Sequence, residues 1–406
     1  MSQTGVAIFG ATGSVGRSTI RVIQRHHHRF RVSVLTGHRN AVELDRLAVE
    51  LEPELVVLSG EAETGFSPQW KGEWQFGESG LHAAIERSSV DIVLNALVGI
   101  AGLGPTLRTL EAGKRLALAN KESLVAGGEL VLEAWERGGG ELLPVDSEHS
   151  AIHQCLAGRP THEVRRLILT ASGGPFRELD ADALEDVSPE DALSHPTWDM
   201  GAKITIDSAT LANKALEVIE GHFLFGIPFD QIMTVVHPTS IVHSMVEFRD
   251  GSTLAQMGHP TMEVPILYAL AYPERPEDGQ GEFDPIAAGP LVFEALREDV
   301  FPMFTLGVDA GRAGGIMPIV YNAANEVVVE AFLGGRIGFA SLPELVRFTL
   351  GRFEPETIRD LEHIWRTDTA ARSVVRDALA EGRLGTSESG AGESRGSMDL
   401  QTPREG

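Results

Sequence analysis

The sequence is poor in several things, and each scarcity excludes something. It has one cysteine, Cys155, among 406 residues, so no intrachain disulfide can form and the chain fits a reducing cytosol. Basic residues are outnumbered: 34 Lys and Arg face 58 Asp and Glu, a formal net charge of -24. A phosphate backbone needs a basic surface, so no nucleic-acid partner is expected. An anionic substrate would have to be met by a local cationic pocket. No apolar run is long enough to span a bilayer, so no membrane partner is expected either. The chain opens MSQTGVAIFGATG, a strand that begins almost at once and leaves no room for a signal or transit segment. A cytoplasmic location is the expectation. What is present is a globular composition, 42% hydrophobic and 23% charged, in a length that predicts two or three domains.

Residues 1–146 alternate short β-branched runs with helix-length segments. The runs at 6–9, 31–36, 55–58, 91–97, 115–120 and 141–146 predict a doubly wound parallel sheet, a Rossmann-like α/β domain. Over 147–272 the texture changes. LILTAS, MTVVHP and TLAQMG read as strands mixed with helices, an α+β domain. The stretch 273–297 is rich in Pro, Gly and acids and reads as a linker. A helical bundle is expected over 298–384, where NAANEVVVEAFLGG ends in Gly and Ser341 stands before a helix as its cap. The Gly- and Ser-rich tail, 385–406, reads as disordered.

The turn Gly10-Ala11-Thr12-Gly13-Ser14-Val15-Gly16 follows the first strand and opens a helix. Its glycines allow a tight turn and close approach to a pyrophosphate, and the helix start supplies free N–H groups. The next strand ends Thr36-Gly37-His38-Arg39-Asn40. It lacks the carboxylate that would hold an NAD ribose, and Arg39 beside His38 suits a 2′-phosphate, so NADPH is expected. The bland alternatives, an unliganded glycine turn and an ordinary surface arginine, are the less favoured readings of the two features.

Asp146-Ser147-Glu148 lies where a strand runs into a helix that Ser147 could cap. Asn213 and Glu217 share a helix face, with Lys214 at its edge. Asp146, Glu148 and Glu217, without Cys or His partners, suit Mg²⁺ or Mn²⁺. Glu220 is a rival ligand on spacing alone. Judged singly, each acid is an ordinary solvated side chain. Ser172-Gly173-Gly174 can form an anion nest, with Ser208, Asn213 and Lys214 adding donors and His195 another. Trp198 and Met200, between turn-forming residues, read as a flap over 192–202 or as packing between domains.

These residues resemble the 1-deoxy-D-xylulose-5-phosphate reductoisomerase family. GATGSVG, LANKESLV (118–125), PVDSEHSAI (144–152), TASGGPF, HPTWDMGAKITIDSATLANKALE and NAANEVVVEAF match its signatures in order, over nearly the whole chain before the tail. The resemblance implies a homodimer with a nucleotide domain, a catalytic domain and a C-terminal helical domain. By matching position it implies NADPH contacts at Thr12, Gly13, Ser14, Val15, Gly37, Arg39, Asn40, Asn120, Glu122, Gly201 and Met262. Metal ligation falls to Asp146, Glu148 and Glu217, and Lys121, Ser147 and Glu148 touch substrate oxygens. Ser172, His195, Ser208, Asn213 and Lys214 hold the phosphate end, under a flap of Trp198 and Met200. The implied reaction rearranges 1-deoxy-D-xylulose 5-phosphate by a retro-aldol/aldol step and reduces the product to 2-C-methyl-D-erythritol 4-phosphate, in the non-mevalonate route to isoprenoid precursors. Departures from the family pattern are Ala11, Arg39, Ala212, Ala215 and, in GHPTMEVPI (258–266), Thr261 and Glu263, which change the charge beside Met262.

Two other readings compete. A semialdehyde dehydrogenase shares the turn and would use Cys155 as its nucleophile. A non-catalytic NADPH sensor would have no use for three carboxylates and an anion pocket.

Overall fold

The computed structural model describes residues 3–62, 65–198, 200–277, 279 and 281–382. The tail expected at 385–406 lies outside them. The first sheet is wholly parallel, in the order β4-β3-β2-β1-β5-β6-β7, built from β1 (Thr4–Phe9), β2 (Phe30–Gly37), β3 (Leu55–Leu58), β4 (Glu73–Phe76), β5 (Ile92–Asn95), β6 (Arg115–Leu118) and β7 (Leu142–Pro144). Helices cover both faces, so β3 and β5 are buried along their whole length and read as unbroken apolar runs. Every expected strand is present. β4 was not foreseen, because EWQF has exposed ends and no apolar run; it is the short, charged edge strand that parallel sheets use at their margins.

The strand order reverses between β2-β1 and β5, which opens a crevice at the carboxyl ends of the strands. The glycine turn sits there. Gly10 has φ +86°, and a Cβ on Gly16 would lie 2.3 Å from the Gly10 carbonyl oxygen, so only glycine lets helix Ser14–Arg25 start so close to the turn.

The second sheet is mixed, in the order β11-β10-β8-β9-β12: β8 (Val164–Ala171), β9 (Ile232–Val236), β10 (Val242–Phe248), β11 (Thr253–Met257) and β12 (Glu294–Ala295). β8 and β9 are parallel and the other pairs antiparallel. β10 was also unforeseen, since His243 and Ser244 interrupt its apolar residues. Val242, Ser244, Val246 and Phe248 nonetheless bury one face with a period of two.

One core joins this sheet to the C-terminal helices. It runs from Leu167 and Leu169 through Leu216 and Ile219 to Ile319, Val328 and Leu345. Helix Glu263–Ala271, placed in the middle segment by the boundaries 147–272, buries Ile266 and Leu270 with the first sheet instead. At helix Ser341–Leu350 the cap position is Ala340, without a side-chain hydrogen bond, so Ser341 is the first helical residue and not the cap. Among the described residues no helix is long and apolar enough to cross a membrane.

Gly16→Ala should lower the urea midpoint by an amount equivalent to about 1–3 kcal/mol, the usual cost of forcing a methyl group into occupied space. An unchanged midpoint would contradict the packing of the turn.

Candidate active site

Loops from both sheets meet in one cleft. It is lined by Ser14 and Val15 at the nucleotide-turn helix, Lys121 after β6, Asp146 and Glu148 after β7, Ser172 after β8, and Asn213, Lys214 and Glu217 from helix Ala212–Phe225. Asp146, Glu148 and Glu217 each bring an oxygen within 4.8 Å of the others. Glu217 is 1% exposed, which removes the solvated-acid reading for it. Two lysines offset the gathered charge. The Lys121 ammonium donates to Asp146 Oδ2 at 2.9 Å, Asn213 Oδ1 at 2.7 Å and Glu217 Oε1 at 3.2 Å. The Lys214 ammonium donates to Glu148 Oε1 at 2.7 Å and to Glu217 Oε2.

Burial and the neighbouring Glu148 push the Glu217 carboxyl up, against the pull of Lys214. Burial acts to raise Asp146 too, but Lys121, His149 and Lys214 hold it well below the usual carboxylate range. Burial acts to lower both lysines, yet the carboxylates around them keep them charged.

Helix Ser147–Leu156 is capped by Asp146, whose Oδ1 accepts from the Glu148 N–H at 3.2 Å. Ser147 is therefore not the cap; it is already helical, and its hydroxyl donates to Glu148 Oε2. The acid at the cap complements the free N–H groups of the first turn. Glu220, the rival ligand, points behind the cleft to His149. Its Oε2 lies 3.1 Å from Nδ1, misaligned for a hydrogen bond but close enough for an ion pair. His149 Nε2–H donates to the Glu217 carbonyl at 2.9 Å. Burial acts to lower this histidine, but Glu220 overrides it and pushes it up to about 9. Asp146, His149 and Glu220 form a second set within 4.8 Å, sharing Asp146 with the first. The role of His149 as support for Asp146 and Glu217 was not read from the sequence, although DSEH places it one turn beyond Asp146.

At the other end of the cleft Ser172, Gly173 and Ser208 line a pocket beside Asn213 and Lys214. Gly173 and Gly174 have φ +85° and +69°, and a Cβ on Gly174 would meet the Ser208 carbonyl oxygen at 2.7 Å, so glycine is required for the close approach. His195 Nδ1 accepts from the N–H groups of Thr197 at 3.1 Å and Trp198 at 2.9 Å. Burial lowers its pKa, so the ring is neutral and Nε2–H faces Ser172 Oγ at 3.0 Å. Trp198 and Met200 are half-buried and line the cleft, with the Trp198 indole N–H 3.4 Å from Ser240 Oγ. Ile204, Ala119 and Ser18 also line it and were not singled out in the sequence; Leu211, which helix spacing turns away from Glu217 to pack inward, is buried and lines it too. Leu211 has φ +61° at the start of helix Ala212–Phe225, a strained conformation for a branched side chain.

On the nucleotide side, helix Ser14–Arg25 begins at Gly13 with no side-chain cap, which leaves its first N–H groups open to an anion. Thr12 lies in the same turn, and Met262 lines the cleft with Ser14 and Val15. Gly37 ends β2, Arg39 is exposed beyond it, and Asn40 caps helix Ala41–Leu51 by accepting from the Glu43 N–H at 3.1 Å. Gly201 is exposed and precedes helix Ala202–Ala209. Asn120 and Glu122, on either side of Lys121, are buried. Asn120 Nδ2 donates to the Leu97 and Gly99 carbonyls and to Glu122 Oε2, each at 2.9 Å. The changed charge beside Met262 is also met: Glu263 pairs with Arg21 at 2.8 Å and Arg25 at 2.7 Å on the nucleotide-turn helix, and its N–H donates to Thr261 Oγ1 at 3.2 Å.

Cys155 lies outside the cleft lining, buried, with its thiol pushed up to about 11 by burial. A buried, protonated thiol away from the ligand pocket is no nucleophile, and the dehydrogenase reading is not favoured.

Family models, curated relatives and the solved structures that superpose well carry one family name. Models described as 1-deoxy-D-xylulose 5-phosphate reductoisomerase match residues 6–128, with its C-terminal domain models matching 142–225 and 257–374. The enzyme of that name from Heliobacterium modesticaldum is 48% identical over 390 residues, covering 93% of this chain and 98% of the relative. That from Cupriavidus necator is 46% identical over 385 residues, covering 92% and 98%. The structure from Zymomonas mobilis in complex with NADPH superposes with a TM-score of 0.84 at 39% identity, covering 93% of this chain and 99% of that one. A DOX-P reductoisomerase in complex with NADPH, fosmidomycin and magnesium superposes at 0.86 with 37% identity, covering 94% and 100%.

A thiol at about 11 is roughly one part in a thousand ionised at pH 8. The native protein should therefore resist iodoacetamide at pH 8, while the urea-unfolded chain labels readily; mass spectrometry distinguishes the two. Rapid labelling of the native protein would restore Cys155 as a reactive residue.

Proposed function

The chain belongs to the 1-deoxy-D-xylulose 5-phosphate reductoisomerase family, and from that premise we infer how its own residues perform the reaction. The enzyme isomerises 1-deoxy-D-xylulose 5-phosphate and reduces the product to 2-C-methyl-D-erythritol 4-phosphate, with NADPH and a divalent cation. The observation that carries the reading for the cleft is the convergence of three carboxylates from two distant segments beside the nucleotide turn.

The donor set fits the metal. Asp146, Glu148 and Glu217 offer oxygen alone, as Mg²⁺ or Mn²⁺ prefers, and burial, then the neighbouring Glu148 and Asp146, push the Glu217 carboxyl up, a charge load that a cation would offset. A cation held by these three would stabilise the oxyanion charge that develops as the carbon chain is rearranged, and NADPH would supply the hydride. Lys121 is held charged, so it enters as a hydrogen-bond donor to a substrate oxygen. Lys214, relieved of Glu148 and Glu217, turns its ammonium group to the phosphate. Ser172, Ser208, Asn213 and His195 Nε2–H complete that anchor, which keeps the phosphate-bearing fragment of a cleaved carbon chain in place for recombination. Ser147 and Glu148 orient the substrate oxygens. Trp198 and Met200 close over the cleft and exclude water. On the cofactor side Thr12, Gly13, Ser14 and Val15 receive the pyrophosphate, Gly37, Arg39 and Asn40 the 2′-phosphate end, and Asn120, Glu122, Gly201 and Met262 the nicotinamide half.

The same reading includes a homodimer in the cytoplasm. Ile286, Val292 and Phe293, 89%, 48% and 42% exposed in the segment leading to β12, support a second copy as the cover of this apolar stretch.

Glu217→Gln should cut metal-dependent NADPH oxidation with this substrate by at least about 100-fold, roughly 3 kcal/mol of transition-state stabilisation. Near-normal turnover would refute Glu217 as a ligand. A chelator should abolish the activity and Mg²⁺ or Mn²⁺ restore it; activity indifferent to the chelator would end the metal assignment. Arg39→Ala should raise KM for NADPH about tenfold, the worth of one charge-assisted contact, and leave the use of NADH unchanged. Equal loss with both cofactors would remove Arg39 from the 2′-phosphate.

A further inference from the structure

The NAANEVVVEAF motif lies on helix Met317–Leu333, and its residues do not line the cleft. Its two asparagines, Asn322 and Asn325, are nonetheless buried. Asn325 is 0% exposed, and its amide donates to Asp207 Oδ1 at 2.8 Å. The other oxygen of Asp207 accepts from Lys203 Nζ at 2.7 Å. Lys203 also reaches Glu122 Oε1 at 3.5 Å, and Glu122 Oε2 accepts from Asn120, which holds the Gly99 carbonyl. The circuit closes on the same helix. Glu326 follows Asn325, pairs with Arg372 at 2.6 Å, and stands against Gly99 so closely that a Cβ there would be 3.1 Å from its carboxylate.

This circuit touches both ends of the cleft. Lys203 and Asp207 lie on helix Ala202–Ala209, which begins where the flap ends and carries Ser208 into the anion pocket. Asn120 and Glu122 flank Lys121 on the nucleotide side. We propose that Lys203 is a positioning residue that locks the anion-binding helix to the cofactor-side segment, with Asn325 fixing the far oxygen of Asp207. The proposal rests on the functional reading above and assigns to the C-terminal helix a part in active-site geometry. Buried Glu122 and Asp207 lose their shared cation if Lys203 is removed, so the two segments lose the charge that bridges them and keep only their apolar packing. Misplacement by about 1 Å at an anchoring group is enough to cost about 100-fold in the extreme, so a partial loss is expected from a residue one contact away.

The test compares Lys203→Met, Lys203→Arg and Asn325→Ala, each checked for its melting temperature. KM for 1-deoxy-D-xylulose 5-phosphate is read from turnover, and Kd for NADPH from its fluorescence on binding. Lys203→Met should raise both constants about tenfold, and Lys203→Arg should restore most of each. Asn325→Ala should raise KM alone, because Lys203 still bridges Glu122 and Asp207. A Lys203→Met protein that melts earlier but keeps both constants overturns the proposal, as does an arginine variant no better than methionine. Asn325→Ala raising Kd for NADPH as much as KM overturns it too, since that is general loosening. If Lys203→Met does not fold, the selectivity of Asn325→Ala decides. A wild-type enzyme that does not turn over this substrate refutes the functional reading, whereas an active wild type with an indifferent Lys203→Met refutes the lock alone.

Discussion

The structure is organised around the problem of keeping like charges together out of water. A buried carboxylate loses several kcal/mol of hydration; Glu217 is buried and Asp146 and Glu148 are half-buried, and within 4.8 Å the three repel one another as well. The fold answers with two lysines brought from separate segments, Lys121 after β6 and Lys214 from the middle helix. His149 adds charge from behind, itself held protonated by Glu220. Such a cluster has little to recommend it as a stabilising device, because removing any member leaves another unpaired. Its use is chemical: acids poised for a hard cation, and ammonium groups close enough to be handed to the substrate.

Architecture decides where this cluster can be. The carboxyl ends of β1, β5, β6 and β7 surround the crevice at the strand-order reversal, and Lys121 and Asp146 both follow strands of that sheet. The second sheet supplies the anion turn at the end of β8. Helix Ala212–Phe225 lies in the core shared with the C-terminal helices, so Asn213, Lys214 and Glu217 project from a rigid element. The C-terminal helices are therefore more than a cap. Through Asn325 and Glu326 they reach the helix of Ser208 and the loop of Gly99.

The legible parts of the sequence were those where one local pattern has one physical cause. Six apolar runs at helix-length spacing allow hardly anything but a parallel sheet. GATGSVG between a strand and a helix allows little but a tight turn with open N–H groups. The illegible parts were those where local pattern is weak and pairing decides. β4 is too polar and β10 too interrupted to read as strands alone, yet each is satisfied by a neighbour. Ser147 and Asp146 are both good caps by composition, and only backbone geometry selects Asp146. Glu217 and Glu220, three apart on one helix, were equivalent by spacing.

By itself, then, the sequence determined the first sheet, the nucleotide turn, the family and the roster of acids and donors, because these depend on short-range sterics and on residue types in order. Tertiary structure alone decided which acids face the cleft, that Glu220 serves His149, that Lys214 rests on Glu148 and Glu217, and that Cys155 is buried away from the cleft. It also decided that Glu263 is answered by Arg21 and Arg25. The reason is that charge and burial are set by neighbours distant in the chain. Asp146 meets Glu217 across β8 and the segment after it, and no short window of sequence contains both together with the lysines that hold them.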